Sequence, residues 1–162
     1  MIESRRKKIM FRAISIEHTT TTGVPHLVVP IDWLFATDDA AEDKINSLIA
    51  ITLNIMSAEN KLTVVNENGH YTAEISVLKN EISRVRTRYA IHPIEEGICY
   101  GKNSQPKSYW EYRNFRIYPN DKGNRYKILK DGQYMYTRHS LEKSLRIIDE
   151  TLLHIQHING EV

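Results

Sequence analysis

The sequence predicts an α+β protein: antiparallel sheets with two main amphipathic helices, the carboxy-terminal part being a three-stranded sheet backed by a helix. Three observations predict it. Short runs alternate polar and apolar residues between turn-forming clusters, as half-buried strands do. Two longer stretches repeat their apolar residues every three or four positions, as amphipathic helices do. No apolar run reaches the roughly eighteen residues that a membrane span requires. With 162 residues, 41% of them apolar and 26% charged, the chain can bury a core without staples.

Taken in order, Arg5, Arg6, Lys7 and Lys8 form a basic cluster, and no signal-peptide core follows it before Glu17. Phe11 to Glu17 alternates as a strand. His26 to Phe35 is a more continuously apolar run that Pro30 interrupts, which suits an edge strand or a bulge. Asp39 with Glu42 matches a capping box, and the helix it opens, from about Ala40 to Ser57, carries Ile45, Leu48, Ile49, Leu53 and Met56 on one face. Ile51 and Ile55 lie off that stripe, so the helix is apolar over much of its girth. The acidic first turn, Asp38, Asp39, Glu42 and Asp43, complements the helix dipole.

Lys61 to Val65 and His70 to Val77 bracket Asn66-Glu67-Asn68-Gly69 and read as a hairpin. The next segment supports two readings. Leu78, Ile82, Val85 and Tyr89 fit a helix, whereas Ser83, Val85, Thr87, Tyr89 and Ile91 alternate as a strand. Arg84 and Arg88 share a face in both, and Arg86 joins them in the strand. Such a row suits phosphates or an acidic partner, because each guanidinium can hold two oxygens; it suits equally an edge strand protected by charge. His92-Pro93 ends any helix, and Glu95 to Lys107, with its glycines and proline, reads as a linker. The expected organisation is therefore an α+β amino-terminal region over 1–94, a linker over 95–107 and a βββα module over 108–162.

In that module the turns set the strands. Phe115 to Asn120 and Arg125 to Lys130 flank Asp121-Lys122-Gly123-Asn124, and Asp131-Gly132 suits a two-residue type I′ turn before Gln133 to Arg138. Pairing outward puts Ile117 beside Ile128 beside Met135, and Pro119 beside Tyr126 beside Thr137, on an apolar face. The other face carries Tyr118, Lys127 and Tyr136, then Arg116, Leu129 and Tyr134, with Arg125 opposite Arg138. Two arginines so placed repel unless an anion lies between them. Ser140 is a good N-cap for a helix whose Leu141, Leu145, Ile148, Leu152 and Ile155 form one stripe, widened by Ile147 and Leu153. That stripe is expected to cover the Ile117, Ile128 and Met135 face and leave the Tyr and Arg face open.

The turns at Asp121 to Asn124 and Asp131-Gly132 and the helix opening at Ser140 give this part a layout that resembles the arm-type DNA-binding modules of phage integrases and the plant AP2 domain. The resemblance is one of layout, without a diagnostic motif. It implies that the free sheet face enters the major groove of DNA.

Charge is segregated along the chain. Residues 1–12 carry +4, residues 37–60 carry −4, and residues 79–138 carry +7, from thirteen Lys and Arg against six Asp and Glu. Eight of the nine tyrosines lie between Tyr89 and Tyr136, so the basic region is also the aromatic one. Basic surface tracks phosphates and aromatic platforms stack bases, so single-stranded nucleic acid has a claim beside duplex DNA. Tyrosine also favours protein interfaces.

Catalysis finds little support. The seven histidines are scattered, and no metalloprotease helix, phosphate-binding loop, dinucleotide fingerprint or nucleophile elbow occurs. Cys99 stands alone, which excludes an internal disulfide, and its apolar neighbours suit an inert thiol. His154 and His157 fit the helix-end dipole as well as a metal, and Asp32, Asp38 and a lysine could form a nuclease site only if the fold assembled them. The sequence thus points to a noncatalytic, cytoplasmic nucleic-acid-binding accessory protein of a phage or mobile element, with no cofactor and no metal. Its expected contacts are Arg116, Tyr118, Arg125, Lys127, Tyr134, Tyr136 and Arg138, with Arg84, Arg86 and Arg88. The alternative is a protein-binding inhibitor, immunity protein or adaptor acting on a host or partner protein.

Overall fold

The structure, a computed structural model, describes residues 2–3, 8–20, 26–28, 33–55, 61–67, 70–78, 84–100 and 105–158. In chain order the elements are β1 (Ile2–Glu3), β2 (Lys8–Thr20), β3 (His26–Leu27), β4 (Leu34–Phe35), α1 (Asp38–Ile55), β5 (Lys61–Glu67), β6 (His70–Leu78), β7 (Arg84–Tyr100), β8 (Pro106–Tyr112), β9 (Phe115–Pro119), β10 (Tyr126–Lys130), β11 (Gln133–Arg138) and α2 (Leu141–Ile158). They fall into two compact units. One comprises Met1–Phe11 and Pro93–Asp149, the other Arg12–His92 and Glu150–Val162, so β2, β7 and α2 contribute residues to both. The fold is α+β, with antiparallel strand pairing and two helices.

The Arg12–His92 unit is built on two periodicities. Ile14 and Ile16, then Tyr71, Ala73 and Ile75, then Tyr89 and Ile91 recur every second residue on three strands, while Ala41, Ile45 and Ile49 recur every fourth on α1; together they form its core. Ile51, off the stripe, is exposed. The side chain of Leu53, and Met56 altogether, lie outside the described residues. Expected at Asp39, the N-cap is instead Thr37, whose hydroxyl accepts the amide of Ala40 at 3.2 Å. Because the helix starts at Asp38, Asp39 falls inside the first turn, where its charge still faces the positive end of the dipole. β3 and β4 pair with separate parts of β2, as expected of an edge that Pro30 interrupts.

Between the two readings of residues 79–91, the strand holds from Arg84 onward. β6 and β7 pair from Thr72↔Ala90 to Leu78↔Arg84, which turns Tyr89 and Ile91 into the core and Arg86 and Arg88 to the opposite face. Residues 79–83 lie outside the described ones.

In the Pro93–Asp149 unit the expected linker is corrected. Residues 95–100 finish β7 and residues 106–107 begin β8, and the two strands pair from Ile94↔Tyr112 to Tyr100↔Pro106. Gly97, one of the residues that suggested a linker, has a packing reason to be there. Gly97 stands directly across from Tyr109, and a Cβ there would lie 2.5 Å from the Tyr109 ring and hydroxyl. The module is consequently not a free three-stranded sheet: β8 continues it through Trp110↔Ile117 and Tyr112↔Phe115. The turn between β8 and β9 is Arg113-Asn114, at φ 49° and 69°, the two left-handed residues of a type I′ hairpin. Asp131-Gly132 adopts the same signs, at φ 51° and 80°, as its sequence predicts.

Ser140 caps α2 as expected, its hydroxyl accepting the amide of Lys143 at 3.1 Å and its carbonyl that of Ser144. Leu145 and Ile148 are fully buried, as are Ile117 and Ile128 on the sheet. Tyr112, on the same sheet face as Ile117, donates to Asp149 of α2 at 2.8 Å, and the Arg113 guanidinium meets the same carboxylate oxygen at 2.8 Å. This pair of contacts fixes the first half of α2 to the apolar face. Burial and the Asp149 charge hold the Tyr112 hydroxyl well above its ordinary pKa of 10.0.

Candidate nucleic-acid interface

Strand pairing determines which side chains share the sheet face of the Pro93–Asp149 unit that points away from Tyr112 and Ile117. Gly97↔Tyr109, Cys99↔Lys107 and Glu111↔Arg116 continue into Leu129↔Arg116 and Lys127↔Tyr118, and Leu129↔Tyr134 completes the row. Alternation turns this set away from Tyr112 and Ile117. Arg116, Tyr118, Lys127 and Tyr134 therefore lie together as expected. Lys107, Tyr109 and Glu111 join them, and sequence reasoning missed these three because it placed β8 partly in a linker.

Tyr136 and Arg138 do not stay on this face. The pairing of β10 with β11 shifts between Ile128 and Leu129: Leu129 faces Tyr134, but Ile128 faces Tyr136, leaving Met135 as an extra residue. Past this bulge Arg138 faces Tyr126 and Thr137 faces Lys127, so Arg125 and Arg138 are not directly opposed, against expectation. A side-chain contact records the change of parity. Tyr134 and Thr137 would point to opposite faces of a regular strand, yet their hydroxyls are 2.7 Å apart. The guanidinium of Arg138 instead lies over the Tyr136 ring, 5.2 Å from its centroid. Arg125 sits at the exposed end of the β9–β10 loop, where the Asn120 side chain accepts its amide at 3.1 Å.

The face is organised around two tyrosines. The Arg116 guanidinium lies 4.3 Å from the centroid of the Tyr109 ring, and the Lys107 ammonium 4.9 Å from that of Tyr118. The two rings are tilted, with centroids 5.6 Å apart. Arg116 also donates to the Tyr118 hydroxyl at 3.4 Å, and its Nε stands 3.9 Å from the Glu111 carboxylate. Tyr109 is buried under this layer, Tyr118 is partly buried, and Tyr134 is 61% exposed. Burial raises the pKa of Tyr118, against the Arg116 hydrogen bond, which lowers it. Tyr118 is accordingly a neutral phenol at physiological pH. Cys99, fully buried, has its sulfur 4.0 Å from the same hydroxyl.

At the end of the sheet where the two type I′ turns lie, this face opens into a cleft of about 630 Å³. Glu111, Arg116, Tyr118 and Leu129 line it, with Asn114 and the Lys130-Asp131-Gly132 turn at its edge. The Lys130 ammonium reaches the Asn114 carbonyl at 3.5 Å, which links one turn to the other. The volume lies within the range of about 300–1,000 Å³ usual for small-ligand sites.

Arg86 and Arg88 belong to the other unit, as does Arg84, whose side chain lies outside the described residues. Arg88 is engaged with carboxylates: its guanidinium is 3.3 Å from Glu74 and 3.9 Å from Glu17. Glu17 is buried, so Arg88 compensates a carboxylate removed from water. Asp32 lies outside the described residues, and among those described no group of three or more His, Cys, Asp or Glu stands where it could hold a metal ion. No described helix is long and apolar enough to cross a membrane.

Fold and face together define an antiparallel α+β protein with a sheet surface that gathers tyrosines, cations and carboxylates beside a cleft. No family model matches the chain, and neither a curated protein nor a solved structure matches it.

Proposed function

We propose that this is a noncatalytic, cytoplasmic nucleic-acid-binding protein, an accessory factor of a phage or mobile element, and that it binds single strands on the Lys107, Arg116, Lys127 face. The observation that carries the reading is the gathering of three cations with Tyr118 and the exposed Tyr134 on one sheet face beside a cleft. Lys107, Lys127 and the nearby Arg125 are exposed and would hold phosphates, and the Tyr134 ring would stack a base. The cleft favours a single strand, because an unpaired base can leave its stack and enter a concavity, whereas a duplex keeps its base faces covered.

The test is fluorescence anisotropy of the protein with single-stranded DNA, single-stranded RNA and duplex DNA across a salt series. Single strands should bind more tightly than duplex, with affinity falling steeply as salt rises. A Lys107→Ala, Lys127→Ala double variant should bind more weakly and lower the logarithmic salt slope by about 0.7 for each phosphate that is no longer neutralised. Absence of binding at low salt, or a variant that behaves as the parent does, overturns the proposal.

A further inference from the structure

We propose that the cleft at the end of the sheet is a guanine-selective subsite, an inference that rests on the single-strand reading above. The cleft offers a carboxylate and a guanidinium side by side, Glu111 and Arg116, with Nε and carboxylate oxygen 3.9 Å apart. A carboxylate has about four lone-pair sites and a guanidinium five N–H donors, so the edge of a ligand can share both groups with their partners in the fold. Both side chains are largely withdrawn from water, at 17% and 21% exposure, which strengthens a hydrogen bond made there. Their positions are held from below and from the side. Arg116 rests on the Tyr109 ring and donates to Tyr118, and Glu111 projects from the strand position directly across from Arg116.

Each base presents a donor beside an acceptor, but guanine alone presents two neighbouring donors, N1–H and N2–H. Those two match the two oxygens of one carboxylate, which has about four lone-pair sites to offer. The guanine O6, next to N1–H, then falls on the guanidinium side, and arginine is a usual donor to that atom. Leu129 and the Tyr118 ring supply apolar wall for the flat base. Cytosine and adenine would leave one carboxylate oxygen without a donor. Uracil would set its carbonyl oxygens toward the carboxylate.

The experiment compares short single-stranded RNAs of uridine carrying one central guanosine, inosine, adenosine or cytidine, by anisotropy at fixed salt. Inosine keeps O6 and N1–H and lacks only the 2-amino group. Guanosine should raise affinity about tenfold over the all-uridine strand, the inosine strand should lose most of that gain, and Glu111→Gln should bring the guanosine and all-uridine strands to equal affinity. Equal binding of the guanosine and uridine strands overturns the guanine subsite and leaves the single-strand reading intact. Guanosine preference that survives both the inosine substitution and Glu111→Gln also overturns it. Failure of every strand to bind at low salt overturns both readings.

Discussion

Gly97 shows how one absent side chain sets up the candidate site. The Tyr109 ring occupies the space a Cβ would need, 2.5 Å away, and Tyr109 in turn is the surface on which the Arg116 guanidinium rests. Packing an aromatic ring across a strand glycine covers the backbone that the glycine would expose. A Gly97→Ala variant must therefore push a 1%-exposed ring out of its place. It should lose about 1–3 kcal/mol of stability in chemical denaturation, and nucleic-acid affinity should fall with it because Arg116 loses its support. A variant as stable as the parent would show that Tyr109 has another place to go.

Among the elements, α2 depends on its tie to the β8–β9 turn. Tyr112 and Arg113 both reach Asp149, so the hydroxyl, the guanidinium and the carboxylate form one cluster. The turn that brings Arg113 there holds it at φ 49°, a conformation uncommon outside glycine. Burial first, then the Asp149 charge, raises the Tyr112 pKa well above 10.0. The folded chain thus keeps this proton at pH values where the unfolded chain has released it. The resulting stability is complete below about pH 10, the tyrosine value in the unfolded chain, and is lost as pH rises beyond it through the folded value. Tyr112→Phe removes the titrating group. Its unfolding free energy should be lower by about 1 kcal/mol at neutral pH, and should decline less than the parent's between neutral and strongly alkaline pH. Equal declines in the two proteins would show that other groups govern alkaline unfolding.

Across the whole molecule, the cations expected to act together serve different ends. Arg88 answers a buried glutamate and a half-exposed one, whereas Lys127 is exposed on the candidate face of the other unit. Arg88→Ala should lower stability by about 1 kcal/mol, a figure discounted for the exposure of the pair, and leave the affinity of the folded protein for single strands unchanged. Lys127→Ala should do the reverse, with a melting temperature close to the parent's and weaker binding. Thermal unfolding and anisotropy on the same two variants check both halves, and a loss of affinity in Arg88→Ala would bring the second unit's arginines back into the site.

Local patterns along the chain suffice for the α+β class, both amphipathic helices, the Ser140 cap, the Asp131-Gly132 turn and the pairing of Ile117 with Ile128, because each rests on periodicity or on a residue whose backbone preference is strong. They also suffice to put Arg116, Tyr118, Lys127 and Tyr134 on one face, since a tight turn fixes the register of the residues next to it. Other features arise only when distant strands meet. The β8 strand was hidden because its turn uses Arg113 and Asn114 in place of a glycine pair, and because Gly97, which looked like linker composition, is required by the Tyr109 ring across the strand. The bulge at Met135 turned Tyr136 and Arg138 to the other face, for side-chain alternation makes the facing of every later residue depend on one insertion that no turn residue announces. The partners of Arg88 were equally invisible, since Glu17 and Glu74 are distant along the chain and meet it only when β2, β6 and β7 come together.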